Sequence, residues 1–214
     1  MYIYVLISST PTRFGGLIRR FGHLQYNHAA IAFDENLEEV YAFARQKHST
    51  LLLGKLVKEN YSRYTLNKTE EIQSVVFKIP VTIYQYKKAR CIVNRIQKDD
   101  EYMYNFLSVL TYPFSGGIHI YKSFSCIEFV VYLLSEIGFK FSKPHYQYRP
   151  DDLPKELKRY IIFEGNLCEF WTSKQKSNDY FSSFSKKDFI QSLKTIKEVS
   201  KRGILHLINK KGTI

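Results

Sequence analysis

The chain has 214 residues, 44% hydrophobic and 24% charged, with 17 Tyr and 16 Phe, an ordinary composition for one globular domain long enough to bury a core. The net charge is +12, but no Lys/Arg cluster is dense enough for a nucleic-acid footprint, so the excess reads as a Lys-rich solvated surface and no nucleic-acid partner is expected. No run of about 18 uncharged apolar residues occurs, which argues against a membrane-spanning helix.

Residues 2–8 (YIYVLIS) are β-branched and aromatic and predict a buried strand, broken by Ser8, Ser9, Thr10 and Pro11. As a signal peptide this segment is too short. It has no basic region before it and no clear small-residue cleavage site after it, and neither end carries a lipidation motif, so a cytoplasmic location is expected. Residues 12–22 (TRFGGLIRRFG) predict a short amphipathic helix with a basic face. Residues 28–33 (HAAIAF) and 39–44 (EVYAFA), separated by a DENLE turn, predict a β-hairpin. Residues 45–70 are polar and irregular around a short apolar run at 51–53. Residues 72–79 (IQSVVFKI) predict a further strand, closed by Pro80.

Helical spacing of Ile83, Tyr86, Cys91, Ile92 and Ile96 predicts a helix over 81–98, and a second short helix is expected over 102–110. The stretch TYPFSGG reads as turns, and residues 118–121 suit a strand. Residues 126–137 form the strongest helical pattern. A Pro- and Tyr-rich segment at 144–154, a last strand at 159–164 and a basic helix at 187–200 complete the chain. The pattern is α+β: an antiparallel sheet packed against a central helix. The expected organisation is a domain over 1–165 followed by a basic extension of unknown role over 166–214. Neither an internal repeat nor a long linker interrupts it.

The segment SFSCIEFVVYLLSEIG carries the most chemistry. Ser125 and Glu128 make an S-x-x-E capping box, which puts Cys126 at the first helical position. Ile127, Val130, Val131, Leu134 and Ile137 follow as a core-facing stripe, and Gly138 is a natural stop. A thiol at a helix N-terminus sits among unpaired amide donors at the positive end of the dipole, and both favour the nucleophilic thiolate. The competing reading of Cys126 is a small buried hydrophobe. Cys91 is placed on the apolar face of its helix, in a packing role, and Cys168 lies in a polar stretch without an obvious base. Three irregularly spaced cysteines with no CxxC argue against a disulfide framework or structural zinc and suit a reducing compartment, and no metal or cofactor is expected.

A thiol nucleophile needs a base brought close by the fold. His28 opens a strand and shares a face with Ala30 and Ala32, small residues that leave room for a helix packing closely there. The plainer reading is a strand-end histidine with a satisfied hydrogen bond. His119 ranks second, while His23, His48, His145 and His206 lie in polar or loop-like surroundings and read as surface residues.

A histidine near a strand start, then a hairpin, then much later a cysteine opening a helix is the order of the permuted papain-like cysteine hydrolases. YNHAAIAFD with VYAFAR, and SCIEFVVYLL, resemble the histidine hairpin and cysteine helix of that superfamily, which includes NlpC-type peptidases and lecithin-retinol-acyltransferase-like proteins. The segment 3–45 and CIEFVVYLLSEIGFKFSKP with RPDDL look similar to a group of uncharacterised bacterial members. The resemblance implies a dyad of Cys126 and His28 that forms an acyl-enzyme from an amide or ester. A peptide, peptidoglycan-type or acyl substrate would be its target. Many members orient the imidazole with a polar residue on the next strand. Here that position falls near Ala42, with Tyr41 and Glu39 on the opposite face, so the third member is unassigned. The oxyanion donors implied are the Cys126 amide and a second group, for which Gln25 is a candidate. The alternative function is a catalytically inactive relative that binds an anionic polymer or membrane surface.

Overall fold

The computed structural model describes residues 1–50, 52–67, 71–172 and 179–211; at 13, 14, 17, 18, 21 and 205–211 it describes the backbone alone. The strands are β1 (Tyr2–Ser8), β2 (His28–Ala32), β3 (Val40–Arg45), β4 (Gly54–Glu59), β5 (Gln73–Pro80), β6 (Met103–Tyr104), β7 (Ser123–Phe124) and β8 (Ile161–Asn166). The helices are α1 (Arg13–Gly22), α2 (Tyr61–Thr65), α3 (Ile83–Lys98), α4 (Phe106–Ser115), α5 (Cys126–Glu136), α6 (Leu153–Glu156), α7 (Leu167–Phe170) and α8 (Lys186–Lys211). Six strands form an antiparallel sheet in the order β4-β3-β2-β1-β5-β8, and β6 and β7 form a small parallel pair.

The central strand β1 is buried on both faces, which is why its sequence is an almost unbroken apolar run. Its alternation divides the core. Ile3, Val5 and Ile7 join Ala29, Ile31 and Phe43 beneath α3 and α5. Tyr4 and Leu6 join Ala30, Ala32 and Ala42 under Tyr64, Leu167 and Trp171. This corrects one expectation. The helix that begins at Cys126 packs on the Ala29 and Ile31 face, and the alanines sharing a face with His28 make room instead for the rings of Tyr64 and Trp171.

The stretch 45–70, read as irregular, holds β4 and α2. As an edge strand β4 carries exposed Lys55 and Lys58, the usual guard of an open edge, and those charges hide its strand character. The predicted helix over 102–110 is instead the short β6 followed by α4, which Asn105 caps through its side chain. The TYPFSGG stretch is helical through Ser115 with Pro113 inside, two residues before the helix ends, where it forfeits the bond to the Val109 carbonyl. Gly116 then stops α4 in the left-handed region at φ 64°. Residues 118–121 supply a single bridge, Ile120 to Ser123, and no strand. The division at residue 165 falls inside β8. Leu167 and Trp171 are buried in the second cluster and Val199 of α8 in the first, so the sheet and both clusters run across that division.

Candidate active site

Ser125 is the N-cap of α5: its hydroxyl accepts from the Glu128 N–H at 3.4 Å, and its own N–H donates to the Glu128 carboxylate. The box holds the first turn so that the Cys126 amide is among the helix donors with no partner inside the helix. Cys126 is 6% exposed and lines a cavity of about 310 Å³ together with residues of α4 and of the segment 146–150.

His28 reaches this thiol from the first position of β2. The Cys126 side chain is one of its hydrogen-bond partners, and Nε2 of the imidazole lies 2.8 Å from Oε2 of Glu59. With Nε2 held by the carboxylate, Nδ1 is the ring nitrogen left for the thiol. Burial pushes the imidazole pKa down, but the Glu59 charge and the hydrogen bonds to Cys126 and Glu59 outweigh it and lift His28 to about 10. Burial likewise pushes the Glu59 carboxyl up. The His28 charge and hydrogen bond, the Arg63 guanidinium and the Tyr64 hydroxyl overcome that push and hold it near 2.

Glu59 is itself fixed from three sides. The Tyr64 hydroxyl donates to Oε2 at 2.6 Å, Arg63 Nε lies 3.6 Å from Oε1, and His28 takes the remaining direction. The Arg63 guanidinium also stacks over the Tyr180 ring at 4.0 Å and donates to the Arg45 carbonyl. A second cavity of about 70 Å³ adjoins His28, Glu59, Arg63, Tyr64 and Tyr180; Asn27 and Tyr104 line both cavities.

Asn27 is buried, with Oδ1 accepting from the N–H and hydroxyl of Thr10 and Nδ2 donating to the Thr10 carbonyl at 3.1 Å. That leaves one Nδ2 hydrogen without a partner among the described residues, on a residue that lines the Cys126 cavity. Residue 15 must be glycine for this: a Cβ there would lie 2.0 Å from Nδ2.

The third residue beside His28 is Glu59, which the sequence reading missed. It sits at the end of β4, not on β3, where Ala42 is buried in the second cluster. Glu39 pairs instead with Arg90, and Tyr41 is half-buried in the first cluster. The available signal was an acidic residue closing the short alternating run KLVKE, 31 residues after His28. Gln25 does not line the cavity: it is an exposed residue whose side chain donates to the hydroxyl of buried Tyr26 at 3.1 Å. The residue that sits at the cavity wall is Asn27.

The other candidates lie elsewhere. His119 packs its ring against His145 and Tyr146 and lines neither cavity. His145 is half-buried among Phe124 and Tyr132 rather than on the surface, and burial pushes its pKa down to about 4. His23 is exposed at the C-cap of α1, His48 packs on Tyr180 and Phe181, and the side chain of His206 lies outside the described residues. Cys91 is exposed, not packed: the buried face of α3 is Ala89, Ile92, Val93 and Ile96, and residue 91 turns away from it. Cys168 is half-buried and hydrogen-bonds with Tyr61.

No protein-family model, curated protein or solved structure matches this chain. Among the described residues, no group of three or more His, Cys, Asp or Glu side chains is placed to hold a metal ion. No helix among them is long and apolar enough to cross a membrane.

Proposed function

We propose that the chain is a cysteine hydrolase or acyltransferase of permuted papain-like fold, which cleaves an amide or ester through a thiolate acyl-enzyme. Cys126 is the nucleophile, His28 the base and Glu59 the residue that orients the imidazole. The observation that carries this reading is the largely buried line Cys126–His28–Glu59, with the carboxylate on Nε2 and the thiol at the start of a helix.

In this reading Glu59 stabilises the imidazolium, so His28 takes the thiol proton as the sulfur becomes the nucleophile. The sulfur attacks the substrate carbonyl carbon. The oxyanion that develops is met by the Cys126 amide and by the remaining Nδ2 hydrogen of Asn27. His28 passes its proton to the leaving amine or alcohol, and the acyl group stays on sulfur. His28 then takes a proton from water or another acceptor, which attacks the thioester and frees the enzyme.

The test is the pH dependence of iodoacetamide labelling, mapped by site, on wild type and His28→Ala. Cys126 is expected to label selectively well below pH ~8.5, the reference thiol value, and to lose that reactivity in His28→Ala. Ordinary labelling, equal in both proteins, would remove the enzyme reading and leave the binding module.

A further inference from the structure

We infer that the acyl half of the substrate is an uncharged, apolar group, and that it occupies the cavity beside Cys126; this rests on the acyl-enzyme reading above. The cavity measures about 310 Å³, and its walls include Leu24, Val109, Leu110, Pro113 and Tyr146. That is the low end of the ~300–1,000 Å³ range of pockets that enclose small ligands.

Apart from the Asn27 amide assigned above to the oxyanion, many polar groups of this wall are already engaged. The Tyr112 hydroxyl donates to the Gln147 carbonyl at 2.7 Å, and the Tyr148 hydroxyl bonds Ser142 and Glu156. Ser108 Oγ accepts from the Ile118 N–H, and the Ser125 hydroxyl accepts from the Glu128 N–H. The Glu128 oxygens are taken by the Ser125 N–H and Asn105 Nδ2. Arg149, at the edge, leaves much of its side chain in solvent near Asp152. A ligand entering from Cys126 thus meets hydrocarbon and aromatic ring. A charged side chain there would lose its hydration against an apolar wall, and a carboxylate would have to draw Arg149 away from Asp152 and solvent, which disfavours a peptide with free carboxylates, such as a cell-wall stem peptide, as the acyl donor.

Two further features shape the site. Gly117 packs so closely on the Tyr146 carbonyl that a Cβ there would lie 1.9 Å from the oxygen, at φ 101°. This contact clamps the 146–150 segment against the end of α4 and closes the wall. On α4 itself, Leu110 and the 94% exposed Phe114 present apolar surface beside the wall residue Pro113, so an apolar group meets apolar surface before it enters.

Two sources share this chemistry: a fatty acyl chain, and a bulky apolar residue of a peptide. The experiment uses the full-length protein with p-nitrophenyl esters from acetate to decanoate, and with the corresponding esters of N-acetyl-leucine, N-acetyl-phenylalanine and N-acetyl-glutamate. In each, sulfur bonds to the carbonyl carbon, p-nitrophenolate leaves, and water then releases the acid. Expected is a rise in kcat/KM of about fourfold per methylene until the cavity is full, with the glutamate ester slowest of its group. A plateau at the decanoate end assigns the fatty chain. Faster leucine and phenylalanine esters assign the peptide residue. Val109→Trp, which fills the cavity, is expected to flatten the series. A series flat with length in wild type, or a preference for glutamate, overturns the inference while acylation of Cys126, read by intact mass, still upholds the acyl-enzyme. No acylation of Cys126 by any ester overturns both.

Discussion

Glu59 and Glu128 are buried to almost the same degree, 4% and 2% exposed, and both belong to the site, yet they carry charge differently. Glu59, at the end of β4, faces two cationic side chains, His28 and Arg63, as well as the Tyr64 hydroxyl, and is held near 2. Glu128, in the first turn of α5, is pushed up to about 7: burial dominates, and the donors from Ser125, Ser108 and Asn105 offset only part of it. Neutral hydrogen-bond donors satisfy a buried carboxylate geometrically without matching the charge compensation of a cation. The full negative charge sits behind the imidazole, where it supports the imidazolium. The carboxyl that shares the cavity with Cys126 is pushed up by burial and carries less negative charge at neutral pH.

The sharpest way to break this contrast is Glu59→Gln, which keeps the shape and removes the charge. Turnover is expected to fall by about 10²–10⁴-fold, the range of a general acid–base contribution. For the proposed hydrolase, an alkaline limb of the pH–rate profile is expected from His28, whose neighbours lift it to about 10, and in Glu59→Gln that limb is expected to move down toward the ordinary 6.5. A limb that stays in place would separate Glu59 from the imidazole.

The next effect is on stability against pH. Between pH 2 and 4.5 the unfolded Glu59 binds more protons than the folded one, so stability contributed by Glu59 is present above 4.5 and lost as pH falls toward 2. Glu128 has the opposite sign. Between 4.5 and 7 the folded state binds more protons, so its contribution is present below 4.5 and lost as pH rises through 7. Glu128→Gln, which can still close the capping box, is expected to remove a loss of roughly 1–3 kcal/mol in stability between pH 4.5 and 7, measured by urea denaturation across pH. A slope unchanged by the substitution would mean that Glu128 is not the titrating group. The smallest effect is that of Ser125→Ala, which removes the N-cap hydroxyl at a cost of about 1 kcal/mol. Its iodoacetamide labelling should lag wild type, because the turn that presents the Cys126 amide is less firmly held.

How much of this was legible depended on the range of the interaction. The capping box, the start of α5 and the strand at 2–8 are local: a serine, a glutamate three residues on and an apolar stripe determine them without help from the rest of the chain. The hairpin could be read for the same reason, and with it the strand that carries His28. Glu59 could not be singled out. Its strand pairs with β3 through the register that sets Val40 opposite Glu59, and nothing within KLVKE says which carboxylate will meet an imidazole 31 residues away. Cys91 misled because one position on a helix decides between core and solvent. Asn27 depended on a glycine at 15 whose purpose appears only when α1 folds back over it.

Local spacing by itself determined the α+β pattern, the cap that sets Cys126 at a helix start, and His28 at a strand start, because those features need only neighbouring residues and backbone preferences. The family resemblance named the pairing of His28 with Cys126; the tertiary structure alone decided that Glu59 stands behind it, which face of the sheet takes α5, and what lines the cavity. Each of these rests on side chains distant in sequence, and their proximity is set by strand register and by packing across the sheet, which no local pattern encodes.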